Sequence, residues 1–172
     1  LFAMESWSQA LRPENLDKWT ASYTFEQDIP KTIAVIMAGN IPMVGFHDFL
    51  SVLISGHSLL AKLSSNDKNF LPMLGKYLQY VLPEFKGKIT FTEGELSDFD
   101  AVIATGSDNT ARYFDYYFGK HPHIIRQNRN TVAILSGDED SKTLERMSDD
   151  IFRYFGLGCR SISKIYLPKG FD

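Results

Sequence analysis

Short apolar runs rich in β-branched residues alternate along this chain with segments of helical periodicity, and this alternation is the feature that most restricts its fold. The runs "TIAVIMA" (32–38) and "DAVIATG" (100–106) stop at a glycine, as is typical of strands buried on both faces. Further strands are predicted at 58–64, 88–93, 123–127, 131–137 and 161–168, and helices at 46–56, 68–82, 107–120 and 141–156. The pattern predicts an α/β fold: a Rossmann-like parallel sheet with helices on both faces and right-handed crossovers.

Composition excludes several classes of function. The 172 residues carry a net charge of −3 without a long basic run, so we expect no nucleic-acid partner. No apolar run is long enough to cross a bilayer, which predicts no membrane span. One cysteine cannot form an internal disulfide, and four histidines without Cys/His spacing make a zinc site improbable. We expect no metal and a cytoplasmic protein, and the start at a leucine suggests a fragment of a longer chain.

Three segments lie where a parallel sheet places its ligands, at the carboxyl ends of predicted strands. Gly106 and Ser107 open a helix whose free N–H groups could hold a phosphate, although Ser107 could equally be an ordinary N-cap. Lys62 ends an apolar strand, where it either reaches an anion or simply emerges into solvent. Asn40 follows the first strand and either bonds its own backbone in a turn or donates its amide to an oxyanion.

Cys159, the only cysteine, lies between Gly158 and Arg160 just before the last strand. A free cysteine is often a buried packing residue. Flexible backbone and positive charge around this one instead favour the thiolate, so a nucleophile is the preferred interpretation. His121 or His123 could serve as its partner in a thiol hydrolase, because such partners are adjacent only in space.

Taken in order, "GNIP" (39–42), "LLAKLSS" (59–65), "ATGS" (104–107) and "GLGCRS" (156–161) resemble motifs of the aldehyde dehydrogenase superfamily. The likeness is closest to the long-chain acyl-CoA reductases of the bacterial bioluminescence type and runs over residues 31–168. It implies that Cys159 accepts the acyl group, while Asn40 and the Cys159 N–H form the oxyanion hole. The resemblance places Lys62 and Ser64 at the adenosine ribose, and Gly106 and Ser107 at the pyrophosphate.

Two positions depart from the pattern of the aldehyde-oxidising relatives. Those enzymes activate water with a glutamate, where our alignment places Arg126, so an acyl group on Cys159 should exchange with a thiol such as coenzyme A rather than be hydrolysed. Many NAD-preferring relatives also carry a glutamate for the ribose 2′-hydroxyl, where this chain has Ser65. A neutral side chain does not repel a 2′-phosphate, which favours NADPH over NADH.

The resemblance also implies a domain division and a reaction. Residues 1–30 would be an N-terminal arm, 31–137 a dinucleotide-binding domain, and 138–172 the start of a second α/β catalytic domain carrying the nucleophile. The expected activity is NAD(P)H-dependent reduction of an acyl-CoA or other acyl thioester to an aldehyde. A homo-oligomer or an acyl-transferring partner protein would fit this activity. The alternatives are a Rossmann-like nucleotide-binding module without chemistry, and the cysteine-dependent thiol hydrolase.

Overall fold

The computed structural model of the protein describes residues 2–25, 29–127 and 129–171. Residues 1 and 26–28 of the predicted N-terminal arm, and residue 172 of the predicted catalytic domain, lie outside these ranges. The α-helices are α1 (Phe2–Ala10), α2 (Pro13–Thr20), α3 (Phe46–Ile54), α4 (Phe70–Val81), α5 (Asp108–Phe118) and α6 (Ser141–Phe152). The strands are β1 (Thr32–Ile36), β2 (Ser58–Lys62), β3 (Ile89–Thr92), β4 (Ala101–Thr105), β5 (His123–Arg126), β6 (Thr131–Ile134) and β7 (Ile162–Tyr166).

Five strands form one parallel sheet in the order β3-β2-β1-β4-β5. Strand order reverses between β1 and β4, because β2 and β3 extend the sheet on one side of β1 whereas β4 and β5 extend it on the other. In open α/β sheets the crevice at such a reversal is where ligands bind. The segments that follow β1 and β4, which contain Asn40 and Gly106, therefore lie at the expected binding edge.

Helices cover both faces of this sheet, as the alternating pattern predicts. On one face, α3 and α4 pack Phe49, Val52 and Leu71 against the side chains of β1, β2 and β3. On the other, Ala34 and Ala104 pack against Phe114 and Phe118 of α5 and against the β3–β4 connection. The small alanine side chains let the aromatic rings of α5 approach the strands closely. The fold class predicted from the sequence is confirmed.

A second, two-stranded parallel sheet pairs β6 with β7. Strand β6 precedes the domain boundary predicted near residue 137, and β7 follows it. The division of the chain into domains stays a prediction. Helix α6 lies between the two strands in sequence, which makes this unit one strand–helix–strand crossover.

The helix predicted over 141–156 ends earlier, at Phe152. It is followed by one short 3₁₀ turn in which Tyr154 and Phe155 have φ values of 54° and 58°, in the left-handed region. Gly156 continues in that region with φ of 71°. Apolar periodicity carries no information about this reversal, which is costly for aromatic residues. The reversal turns the chain so that residues 157–161 lead back towards β7.

Candidate active site

Asn40 and the cysteine loop lie side by side, although 117 residues separate Asn40 from its partner in sequence. The Asn40 Nδ2 donates a hydrogen bond of 2.6 Å to the carbonyl oxygen of Leu157, two residues before Cys159. The interpretation of Asn40 as a turn residue bonded to its own backbone is therefore wrong. Its amide is positioned at the loop that carries the thiol.

Cys159 is a free and exposed cysteine, which removes the interpretation of this thiol as a buried packing residue. It lines a groove of about 630 Å³, a volume in the range of small-molecule sites. We call this the Cys159 groove. Its walls come from α1 (Phe2, Ala3, Ser6, Trp7, Ala10), from Ile41 to Val44 with His47, and from Asp150, Arg153, Tyr154 and Gly158 to Ser161.

Neither histidine proposed as a hydrolase partner lines the Cys159 groove. His123 begins β5, at the amino ends of the strands, and its Nδ1 lies 2.9 Å from the carbonyl oxygen of His121. The His121 ring packs against Phe99, with ring centroids 4.7 Å apart. Asn40 and the cysteine loop lie at the opposite edge of the sheet, where β1 ends. This separation argues against the hydrolase alternative.

His47, which lines this groove, and Asp48 lie in the first turn of α3 and were not among the residues predicted from the sequence. Asp48 is only 5% exposed, and its carboxylate accepts bonds of 2.5 and 2.7 Å from the Arg126 guanidinium. His47 Nδ1 lies 3.6 Å from the same carboxylate. A signal existed in the sequence, because Asp48 falls on the apolar face of α3, four residues before Val52. A carboxylate in such a position is rarely buried without a partner.

Arg126 therefore has a structural partner that the alignment did not suggest. It ends β5, and its carbonyl oxygen accepts a hydrogen bond from the Gly106 N–H across to β4. Its side chain neutralises the buried Asp48 rather than remaining free. At this position the chain holds a cation bound to a carboxylate, so Arg126 itself offers no base to a water molecule.

A second groove, of about 940 Å³, opens beside α5, and we call it the α5 groove. Lys62, the last residue of β2, lies on its wall with Ile36 of β1. The remaining lining consists of Glu95 to Phe99, Tyr113, Phe114, Tyr117, Phe118 and His121. The groove thus combines one lysine, two carboxylates and several aromatic rings. Such walls suit a flat heterocycle with polar substituents.

Gly106 and Ser107 lie at the start of α5 and are not among the residues that line this groove. The Ser107 hydroxyl caps the helix, accepting a 3.3 Å bond from the Thr110 N–H, so the N-cap interpretation is confirmed. A Cβ on Gly106 would lie 3.0 Å from Thr110 and Phe114, so a side chain at this turn would crowd α5. The glycine therefore lets α5 pack closely against the end of β4.

Ser64 lies against the turn that carries Asn40, because a Cβ on Gly39 would fall 2.2 Å from the Ser64 Oγ. The Ser64 hydroxyl also accepts a 3.3 Å bond from the Asn66 N–H. Ser65 is exposed in the same turn. The loops after β1 and β2 are thus in contact, and they bring the candidate ribose residues next to the strand ends.

The described residues contain no group of three or more His, Cys, Asp or Glu side chains that could hold a metal ion. Within the same ranges, no helix is both long and apolar enough to cross a membrane.

Comparison with known proteins decides the family. The model of the acyl-CoA reductase (LuxC) family matches residues 8–171. The chain belongs to this family. No curated protein matches the chain at a significant level.

Solved structures agree on the superfamily fold. Aldehyde dehydrogenase 21 from Physcomitrella patens, solved with succinate, superposes with a TM-score of 0.71 at 16% identity over 81% of this chain and 32% of its own. A putative aldehyde dehydrogenase from Anabaena variabilis gives a TM-score of 0.67 at 24% identity, over 82% and 32%. Aldehyde dehydrogenase C from Pseudomonas syringae, solved with NAD⁺ and octanal, gives 0.68 at 15%, over 88% and 36%. This LuxC-family chain spans about a third of the length of these relatives.

Proposed function

We propose that this chain carries the dinucleotide-binding part and the nucleophile of an NAD(P)H-dependent acyl-CoA reductase, which converts a fatty acyl thioester to an aldehyde. The observation that carries the proposal is the exposed Cys159 in a groove beside Asn40, in a chain of the LuxC family. Residues 31–137 would bind the dinucleotide, and 138–172 would begin the catalytic domain.

Cys159 would act as its thiolate. The sulfur attacks the thioester carbonyl carbon, the bond from that carbon to the coenzyme A sulfur breaks, and the departing thiolate takes up a proton. Negative charge develops on the carbonyl oxygen during the attack. Asn40 and the Cys159 N–H would donate hydrogen bonds to it, and Asn40 would exchange its present acceptor, the Leu157 carbonyl, for this oxygen.

The acyl-enzyme should resist hydrolysis. A water molecule attacks a thioester efficiently when a carboxylate or imidazole removes its proton. Arg126 offers no such base, and the nearby Asp48 carboxylate is buried and bound to Arg126. The His47 imidazole, which lines the Cys159 groove, is then the remaining candidate base, and without its action on water the acyl group would stay on Cys159 until reduction or return to a thiol.

The α5 groove is our candidate for the dinucleotide site. Its aromatic walls would suit an adenine ring, and Lys62 supplies a cation. The turn at Gly106 lies outside the groove lining, and the helix N-terminus that it opens would hold the pyrophosphate. Ser64 and Ser65 would adjoin the ribose. NADPH, with NADH as the second choice, would supply the hydride that reduces the acyl thioester to the aldehyde.

Acyl transfer tests the nucleophile without requiring the whole reaction. The chain is incubated with a long-chain acyl-CoA and weighed intact, and the expected result is a mass gain equal to one acyl group. Because Cys159 is the only cysteine, Cys159→Ser should abolish the gain. Asn40→Ala should slow the transfer by about a hundredfold, whereas Asn66→Ala, an exposed asparagine nearby, should not. A wild-type thiol that takes up no acyl group would refute this half of the proposal.

Dinucleotide binding is measured separately by calorimetry. If Lys62 faces the phosphorylated ribose, Lys62→Met should weaken the binding of NADPH by about tenfold and the binding of NADH by less. Lys76→Met, an exposed lysine of α4, is the matched control and should leave both affinities unchanged. Equal losses for the two dinucleotides would exclude contact between Lys62 and the 2′-phosphate. Binding without acyl transfer would instead favour the nucleotide-binding module.

A further inference from the structure

His47 faces the Cys159 groove from the first turn of α3, and it is the only histidine among the described residues that line this groove. Its side chain is 56% exposed, so the ring is accessible to a ligand in the groove. Imidazole is the side-chain group that most readily takes up and gives back a proton near neutral pH. Acyl transfer to Cys159 requires a proton to leave one sulfur and reach another, and His47 is placed to carry it.

The buried Asp48 carboxylate orients this imidazole. The His47 Nδ1 lies 3.6 Å from the Asp48 Oδ1, and the Asp48 side chain is 7% exposed. A carboxylate beside one ring nitrogen favours the tautomer that carries its proton on that nitrogen. Nε2 then holds the lone pair that accepts a further proton. Arg126 bonds both carboxylate oxygens, which keeps Asp48 from turning away from the ring.

Two tryptophan rings restrain the other side of the arrangement. The centroid of the His47 ring lies 6.2 Å from that of Trp7 on α1 and 5.9 Å from that of Trp19 on α2. These contacts limit how far the imidazole can rotate. A base that is oriented by a third group and shares a site with a nucleophile is the arrangement that activates nucleophilic side chains.

We propose that the His47 imidazole is the proton carrier of acyl transfer to Cys159. Nε2 takes the proton of the thiol, and the sulfur attacks the thioester carbonyl carbon. When the bond from that carbon to the coenzyme A sulfur breaks, His47 gives the proton to the departing sulfur, so proton and charge balance. Asp48 is a positioning residue, because it acts through His47. This inference rests on the proposed function, which supplies the nucleophile and the acyl donor.

The rate of acylation at different pH values tests this role. The chain is incubated with tetradecanoyl-CoA from about pH 6 to about pH 9, and the adduct is followed by intact mass. A thiol with an ordinary pKa of about 8.5 is only about 3% ionised at neutral pH. His47→Gln should therefore slow acylation by about tenfold at neutral pH. The defect should shrink to less than about twofold near pH 9, where a thiol ionises without help.

Two further variants separate proton transfer from packing. His47→Phe keeps an aromatic ring beside Trp7 and Trp19 but carries no proton, so it should lose as much rate as His47→Gln. His123→Gln removes a histidine that does not line the groove and should leave the rate unchanged. The other ionisable side chains of the groove are Asp150, Arg153, Tyr154, Cys159 and Arg160. Apart from the thiol, side chains of these types ordinarily titrate outside the pH range of the assay.

A double substitution tests the positioning role of Asp48. Asp48→Asn still offers an oxygen to Arg126 but has no negative charge to orient His47, so it should slow acylation several-fold at neutral pH. In the His47→Gln chain the same substitution should slow acylation no further, because the two side chains act as one unit. An equal loss in both chains would show that Asp48 only supports the fold.

The outcomes distinguish this inference from the proposed function. Wild-type acylation combined with an unchanged rate in both His47 variants would overturn the proton carrier and keep the nucleophile. A defect in His47→Gln that persists at pH 9, or a full rate in His47→Phe, would likewise reduce His47 to a packing residue. A wild-type chain that takes up no acyl group would overturn both proposals.

Discussion

The buried pair of Asp48 and Arg126 yields the sharpest prediction about stability. The Asp48 side chain is 7% exposed and the Arg126 side chain 35%, with one guanidinium nitrogen bonded to both carboxylate oxygens. Replacing Arg126 by Met keeps most of the aliphatic stem but removes the charge. The Asp48 carboxylate then stays in the protein interior with no cation bonded to it.

The expected cost follows from how far each group is buried. Breaking a fully buried pair by removing one partner destabilises by about 3–5 kcal/mol. Water already reaches the guanidinium of Arg126, which weakens its attraction for the carboxylate, so we expect about 2–3 kcal/mol for Arg126→Met. For a chain of this size, that loss lowers Tm by roughly 4–12 °C. Asp48→Leu combined with Arg126→Met should recover most of the loss, because neither charge then remains.

Urea unfolding followed by tryptophan fluorescence measures these changes, with Lys68→Met as the control. Lys68 and Glu93 form an exposed pair at 3.7 Å, and its loss should cost less than about 0.5 kcal/mol. The reasoning is refuted if Arg126→Met costs no more than this control. It is also refuted if the double substitution costs as much as the sum of the two single ones.

Three further predictions concern stability. Leu71 of α4 is 1% exposed, so Leu71→Ala should lower the free energy of unfolding, measured with urea, by about 2–5 kcal/mol. Met73 on the same helix is 58% exposed, so Met73→Ala should lower it by less than about 0.5 kcal/mol. Phe155→Gly should stabilise by about 1 kcal/mol, since Phe155 is 95% exposed in a left-handed conformation; a loss of stability would contradict the strain. The hydrogen bonds from Thr143 lower the pKa of Asp140 in the folded protein. The ionised Asp140 therefore stabilises the fold above the pKa it has in the unfolded chain, and this contribution is lost as the pH falls through its pKa in the folded protein. Asp140→Asn, which keeps the cap, should therefore lose less stability than the wild type between neutral pH and pH below 3.8, measured by thermal unfolding.

The sequence predicts elements whose signal is local. The observed ends of β1, β2 and β4 lie within two residues of the predicted ends. Each of these strands is a compact apolar run, which is typical of a buried strand. The end of α6 was misplaced, since the left-handed turn at Tyr154 leaves no trace in apolar periodicity.

The site depends on contacts that local patterns do not encode. The bond from Asn40 to Leu157 spans 117 residues, and the pair of Arg126 and Asp48 spans 78. Local chemistry marked Asn40 and Cys159 as candidates and the resemblance implied their joint role, yet neither predicted that the Arg126 guanidinium would bind a buried carboxylate. The role of α1 as a wall was also hidden, because its groove-facing side mixes apolar residues with Ser6.

The strand order also dictates when each edge of the large sheet can close as the chain is synthesised. Strand β1 finds its first partner, β2, about twenty residues later, but its second partner, β4, begins only at Ala101. Until then one edge of β1 presents the unpaired backbone N–H and C=O groups of the apolar run "TIAVI". Open edges of this kind invite pairing with other chains. A nascent chain halted before residue 101 should therefore depend on chaperones, whereas one extended past β5 should not.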